Sequence, residues 1–148
     1  MTKKRLVKIV ASALVCDEGR VLILKRARDF EEVHRGKGLW EPPGGGIEPN
    51  EQVEKSLRRE LREETGLTIS REPVLVATCS YVLADETISV RRLHYVYAVH
   101  LRRRTTIRLS EEHVTGRWVR TPKELARLEM IPRMRTCLLY TSPSPRDS

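Results

Sequence analysis

The sequence predicts a mixed fold of the α/β or α+β class. Three features point to it: β-branched apolar runs near the start, one central stretch free of helix breakers, and strand-like alternation beyond it. Leu6 to Cys16 is the first apolar run, Asp17-Glu18-Gly19 is a turn signal, and Val21 to Leu24 is the return, which together read as a hairpin. Ala27 to Leu39 is polar and glycine-containing, and Trp40-Glu41-Pro42-Pro43-Gly44-Gly45-Gly46 concentrates the strongest breakers, so a long loop is expected there. Glu51 to Thr65 holds neither Gly nor Pro, with Asn50 placed to cap its start and Gly66 its end, and it reads as a helix. Ile69 to Val82 and Ile88 to Leu101 read as strands pairing across Asp85-Glu86. In the second, Tyr95, Tyr97, Val99 and Leu101 share one face and are assigned to the core. Arg117 to Val119 suggests a short strand, and Pro122 opens a short helix that includes Leu125 and Leu128.

A chain of 148 residues suits a single hydrophobic core, so residues 1–136 are expected to form one domain. Twenty-eight Lys and Arg against twenty Asp and Glu give a formal charge of +8, which favours phosphate-bearing partners without naming one. No apolar run is long enough to span a bilayer and no processing site is convincing, so a cytoplasmic protein with no membrane partner is expected. Cys16, Cys79 and Cys137 are too few and too scattered for a disulfide framework or a zinc cluster and read as inert thiols. Residues 137–148, beginning Cys137-Leu138-Leu139-Tyr140, resemble the translation of a transposase-end adapter used in library preparation. They are expected to be a non-native, disordered tail following a natural chain cut near Thr136.

The chemistry is concentrated in the central helix. On a helical wheel Val53, Leu57 and Leu61 define the core-facing arc, and Glu60 and Glu64 fall inside or beside it. Carboxylates are rarely buried without a partner, and two at i, i+4 repel, so a cation between them resolves both costs. Glu63 flanks the pair and can reach the same ion, a set suited to a hard, oxygen-liking Mg²⁺. The plainer reading is a helix carrying ordinary surface pairs such as Arg59 with Glu63. The loop before it tips the balance, because Gly44-Gly45-Gly46 can approach a polyphosphate closely with no side chain in the way. Lys25, Arg26, Arg28, His34, Arg35 and Lys37 offer phosphate contacts near that loop, though such a cluster is more often a solvated face.

Gly45, Glu51 and the run Arg59-Glu60-Leu61-Arg62-Glu63-Glu64-Thr65-Gly66-Leu67, preceded by Trp40 and Pro43-Gly44, match the Nudix box at its defining positions. The chain therefore resembles the Nudix hydrolases. That resemblance implies an α/β/α sandwich with a mixed β-sheet over roughly residues 5 to 130. It implies metal binding by Glu60, Glu63, Glu64 and the Gly44 carbonyl, and structural support from the Glu51–Arg59 pair. A further carboxylate from a late loop often joins such sites, and Glu112 fits that place better than Glu111. The expected cofactor is Mg²⁺, with Mn²⁺ able to substitute, and Glu60, Glu64 or Glu112 could take a proton from the attacking water. Arg26, Arg28 and Gly44 to Gly46 are the candidate substrate contacts. The expected activity is cleavage of the pyrophosphate link of a nucleoside diphosphate joined to a further group, in a monomer or homodimer.

Two other readings compete. A nucleic-acid partner draws on Arg91, Arg92 and Arg102 to Arg104, but only seven aromatics and no binding motif accompany them, so nucleic acid is not expected. RNA-cap hydrolysis stays open as an enzymatic variant, and a noncatalytic binding protein is opposed by the complete box. Among substrates, Pro-Gly-Gly-Gly in place of Pro-Lys-Gly-His disfavours asymmetric dinucleoside polyphosphates, and no coenzyme A-type signature is evident. Nucleoside triphosphates, oxidised deoxynucleotides and ADP-sugars remain.

Overall fold

The opening apolar run becomes one long strand, β1 (Lys4–Asp17), in a computed structural model that describes residues 3–102 and 106–141. Glu18 and Gly19, both at positive φ, turn the chain into β2 (Arg20–Arg26), completing the expected hairpin. Two short strands follow, β3 (Trp40–Glu41) and β4 (Gly44–Gly46), and then α1 (Val53–Thr65). Next come β5 (Val74–Ala84), β6 (Ile88–His100) and β7 (His113–Val119), and the helices α2 (Pro122–Ala126) and α3 (Pro132–Thr141) close the described chain.

Among the described residues the strands form one mixed sheet in the order β3-β2-β1-β6-β5, with β4 also on β1 and β7 also on β2. β1 and β6 run parallel along their length, while β5 and β6 pair antiparallel across a turn in which Asp85 Oδ1 accepts from the Thr87 and Ile88 amides. Side-chain alternation along β1 sends Ala11, Ala13 and Val15 to a core under α1 with Leu57 and Leu61. It sends Leu14 and Cys16 to the opposite core, with Leu125, Met130 and Met134. The result is an α/β/α sandwich with a mixed sheet. Tyr95, Tyr97, Val99 and Leu101 all pack on the α1 side, as their alternation predicts.

One edge of β1 is shared by two partners. Near its middle, Val10 to Ser12 pair with Gly44 to Gly46, whereas β2 joins only at Cys16 and Asp17. β1 and β2 therefore part company, and the segment from Trp40 to Gly46 bridges them, with Glu41 paired to Leu24 of β2 and Gly44 to Ser12 of β1. That split is where the carboxylates gather.

Several boundaries differ from expectation for identifiable reasons. Asn50 sits in a left-handed turn closed between Glu48 and Glu51, so α1 starts at Val53 with Gln52 as its cap. Pro73 has no amide to donate, and β5 begins just after it although Ile69 is buried. β7 is longer than Arg117 to Val119 because His113 already pairs with β2. Residues 137–141, expected to begin a disordered tail, continue α3, with Leu138 only 1% exposed in the core beside Met134, as the apolar makeup of Cys137-Leu138-Leu139-Tyr140 allows whatever its origin. The rest of the expected tail, 142–148, lies outside the described residues.

A single truncation tests that packing. Leu138→Ala should lower stability by about 2–5 kcal/mol, the usual cost of emptying a buried leucine site, while Tyr140→Ala, at an 86% exposed position, should change little. Chemical denaturation midpoints compare the two, and equal midpoints would mean that α3 does not pack through Leu138.

Candidate metal centre and nucleotide cleft

Glu64 lies on the core-facing side of α1 and is 2% exposed. Its Oε1 accepts from the Gly44 amide at 2.9 Å, a bond that joins the helix to β4 across the split. Its Oε2 has no hydrogen-bond partner among the described residues and lies 3.6 Å from His113 Nδ1, which is also unpartnered. Burial, and then the nearby charge of Glu41, Glu60 and Glu112, push the Glu64 carboxyl well above its usual range, against the lowering effect of the Gly44 bond. Glu60, one turn earlier, is raised too, mainly by burial, with Arg59 opposing and Glu63 and Glu112 adding to the rise.

The late loop reaches this place through backbone bonds. The amides of Arg108 and Ser110 donate to the carbonyls of Thr65 and Glu64, and the Glu112 carbonyl accepts from Ala27 at 2.8 Å. These bonds bring Glu112 to the cleft wall and His113 beneath it. Carboxylate oxygens of Glu64 and Glu112 and a ring nitrogen of His113 lie within 4.8 Å of one another. Glu41, on β3, supplies the other half of the arrangement. Its Oε2 is 2.9 Å from His113 Nε2, and its two oxygens accept from the Arg26 guanidinium at 3.1 and 3.0 Å. Burial alone pushes Glu41 up, but the His113 bond and the Arg26 charge outweigh it, and the net shift is downward. An ionised Glu41 accepts a hydrogen bond from Nε2–H, the tautomer that leaves Nδ1 as a lone pair facing Glu64 Oε2. Two lone pairs in a buried space fit a cation, and a carboxylate behind a ligating imidazole is the usual way its tautomer is fixed.

Arg59 holds the approach. It donates from Nε and a terminal nitrogen to both oxygens of Glu51 at 2.9 and 3.0 Å, and its remaining terminal nitrogen reaches Glu60 at 3.0 Å and Glu63 at 3.3 Å. That forked bond lowers Glu51 to about 2. The glycines also have a use within the fold itself. A Cβ on Gly44 would collide with the Ala11 carbonyl, on Gly45 with the Glu60 carboxylate, and on Gly46 with the Lys8 stem. Their bareness is consumed by the protein's own atoms, although all three still line the cleft.

The other expected site residues divide. Glu60, Glu64 and Glu112 line one cleft; Glu63, with a side chain 55% exposed, lies outside the cluster and rests on Arg59. Arg26 is spent on Glu41, on the carbonyls of Arg28 and Asp29, and on the Phe30 ring at 4.0 Å, so it braces the wall. Arg28 lines the cleft mouth and pairs on the surface with Glu111, the neighbour of Glu112. Lys25, His34, Arg35 and Lys37 do not line this cleft. Glu41 and His113 went unrecognised in the sequence. Neither has a spacing signal, since their partners come from β3, β7, β2 and α1.

The sequence profile of the NUDIX domain matches residues 7–139. The chain belongs to the NUDIX family. Among curated proteins it is 28% identical over 130 residues to the nucleoside triphosphatase NudI of Escherichia coli O1:K1 / APEC, covering 83% of this chain and 88% of that one. In fold it is similar to the MutT protein of Methanosarcina mazei Go1, with a TM-score of 0.72, 23% identity and 94% of each chain covered. It is also similar to a MutT NUDIX hydrolase from Burkholderia pseudomallei, with a TM-score of 0.71, 24% identity, and 93% of this chain and 98% of that one covered. The NUDIX assignment carries the family's general activity, hydrolysis of a pyrophosphate linkage, and the Glu64–Glu112–His113 cluster is consistent with a divalent cation. Among the described residues no helix is long and apolar enough to cross a membrane.

Burial of Glu64 and Glu60 sets a pH dependence for the metal-free fold. Their folded pKa values lie above the unfolded 4.5, so below 4.5 both states hold the protons, and stability falls as pH rises from there through the raised values. Glu64→Gln removes most of this loss, its amide oxygen keeping the Gly44 bond and its NH₂ meeting the His113 lone pair. Without metal this variant should melt higher than the parent at pH 8 and closer to it at pH 5. It should also lose much of the stabilisation that Mg²⁺ or Mn²⁺ gives the parent. Melting curves in chelator and in metal decide this, and a variant that melts lower than the parent in chelator at pH 8 contradicts it.

Proposed function

We propose that the protein is a metal-dependent hydrolase of nucleoside diphosphate-X compounds, with Mg²⁺ as its usual ion, Mn²⁺ as a substitute, and nucleoside triphosphates as the favoured substrates. The observation that carries the reading is the buried Glu64 Oε2 opposite the unpartnered His113 Nδ1, at the floor of a cleft walled by Glu60, Glu112 and the glycine strand. The relative named a nucleoside triphosphatase supports the substrate class.

Glu64, Glu112 and His113 would hold one ion, with Glu60 completing its surroundings and the Gly44 carbonyl and Glu63 available at the rim. A bound divalent cation supplies charge on the phosphate oxygens and lowers the pKa of water. The protein's part is to keep those ligands oriented. Arg59 holds Glu60 toward Gly45, Gly44 holds Glu64, and Glu41 holds His113. Glu112 is exposed within the cleft and is the carboxylate assigned to accept the proton from the attacking water, while Glu64 is sealed. Arg28, at the mouth, is free to exchange Glu111 for a phosphate because that pair is solvent-exposed and worth little.

An RNA-cap reading receives no such support. Its basic surface loses Arg92, which is 7% exposed inside the cleft, and Arg103 and Arg104 lie outside the described residues.

With Mg²⁺ in ¹⁸O-labelled water, a nucleoside triphosphate should be cut at an internal phosphorus–oxygen–phosphorus bridge, and a nucleoside monophosphate should survive, because a monoester gives only one phosphoryl anchor. Glu64→Gln should abolish most of this turnover. Rapid phosphate release from the monophosphate, with every diphosphate-containing compound left intact, would sink the assignment. Glu41→Gln, which changes the partner of His113, should weaken metal binding by roughly 10–100-fold, as the loss of a carboxylate behind a metal-binding histidine usually does; calorimetric titration with Mn²⁺ measures it.

A further inference from the structure

The cleft has a second end, away from the carboxylates, built by residues the hydrolysis does not use. Lys8 of β1 and Arg92 of β6 are register partners in the parallel pair, so their side chains rise side by side on the α2/α3 face of the sheet. Glu32, from the loop after β2, comes down between them. Its Oε1 accepts from Lys8 Nζ at 2.9 Å, and its Oε2 lies 4.0 Å from a terminal nitrogen of Arg92. Glu32 Oε2 and Arg92 Nε have no hydrogen-bond partner among the described residues, although Arg92 is 7% exposed. Burial pushes Glu32 up, but Lys8 and Arg92 more than offset it, so the carboxyl is held below its usual range and remains an acceptor.

Around this row the wall mixes apolar and polar side chains. Phe30 lies against Arg92 at 5.0 Å, and Leu39, Ile131 and Met134 complete the lining. His94 bonds to Ser12 and Tyr81 at 2.7 and 3.1 Å, and burial lowers it to about 3, so it is neutral and its ring nitrogens are already engaged. The row therefore offers a donor, an acceptor and a donor in sequence: Lys8, Glu32, Arg92. Its complement is a planar, uncharged ring edge reading acceptor, donor, acceptor.

We propose that this end of the cleft is a base subsite for the imide edge of uracil or thymine, in which an N–H flanked by two carbonyls is read by Glu32 between Lys8 and Arg92. The inference rests on the nucleotide reading above and names the base that reading leaves open. Cytosine satisfies only part of the row, because the amino group that meets Glu32 has a ring nitrogen on one side and a C–H on the other. Adenine flanks its amino group with N1 and N7, but that group projects beyond both acceptors and holds them back from the cations, whereas the imide N–H is recessed between two projecting carbonyls. Guanine places a second donor against a cation. Unpaired buried partners make such mismatches costly, so selectivity should come from hydrogen bonding and not from size.

The experiment compares kcat/KM for UTP, CTP, ATP, GTP and N3-methyl-UTP with Mg²⁺, in the parent and in Glu32→Gln. Equilibrium binding of analogues of UTP and CTP in which both bridging oxygens are replaced by imido groups is measured alongside. UTP should lead the panel, and methylation at N3 should cost about tenfold or more, the worth of one hydrogen bond to a charged group. Glu32→Gln keeps its oxygen toward Lys8 and presents an NH₂ to the base, so the UTP-to-CTP ratio should fall by about tenfold in both turnover and binding. N3-methyl-UTP handled as well as UTP, or a ratio unmoved by Glu32→Gln, overturns the subsite. If no triphosphate is cut at all, the hydrolase reading fails, and the binding ratio of the two analogues still decides the base.

Discussion

The rest of the site depends on one buried carboxylate. Glu64 is sealed at the point where β1 and β2 separate, and a charge so placed needs compensation from every side. Gly44 supplies an amide to one oxygen, which ties the bridging strand to the helix. The other oxygen lies 3.6 Å from His113 Nδ1, whose ring Glu41 holds in place, and Glu41 in turn needs the Arg26 guanidinium to stay ionised. A chain of interactions thus runs from α1 through β7 and β3 to β2. None of its members would be worth burying alone. Together they make a receptor for positive charge whose cost falls when a cation arrives.

The split in the sheet explains how one cleft uses both faces. Along β4, alternate residues point to opposite sides: the bare face of Gly45 is filled by the Glu60 carboxylate from the α1 side, and that of Gly46 by the Lys8 stem from the other. A side chain at either position would force the helix or the β1 lysine away. The glycine strand is therefore a thin partition, with carboxylates gathered on one side and the Lys8–Glu32–Arg92 row on the other. An elongated ligand lying over its edge can engage both without the sheet opening.

Much of this could be read in the chain because it is local and periodic. The positions of Leu57, Leu61, Glu60 and Glu64 follow from the helical repeat, and the two-residue alternation of β6 put Tyr95 and Tyr97 in the core. The Glu51–Arg59 fork lies within reach of one helix turn and its preceding loop. Glu41 and His113 were invisible for the opposite reason: they meet only after β3 and β7 have both docked on β2, and no spacing encodes that. The partners of Arg26 and Glu63 were not legible either, because a charge on paper has no partner. In the fold Arg26 braces Glu41, and Glu63 leans outward on Arg59. The tail was judged by its resemblance to an adapter sequence, whereas its first residues are apolar enough to extend α3.

The same contrast corrects what the formal charge of +8 suggests. Within the cleft the cations are committed: Arg59 to Glu51 and Glu60, Arg26 to Glu41, and Lys8 and Arg92 to Glu32. Excess positive charge elsewhere can raise the encounter rate with an anionic substrate, an effect that salt screens within about 10 Å at moderate ionic strength. It cannot choose a substrate. Selection has to come from groups that are short-ranged, desolvated and fixed, and these are the paired ones. Pairing removes their value as free charge and leaves their remaining lone pairs and N–H groups aimed by the partner. In a site of this kind the ion pairs act as the rigid backing that makes a few unsatisfied atoms specific.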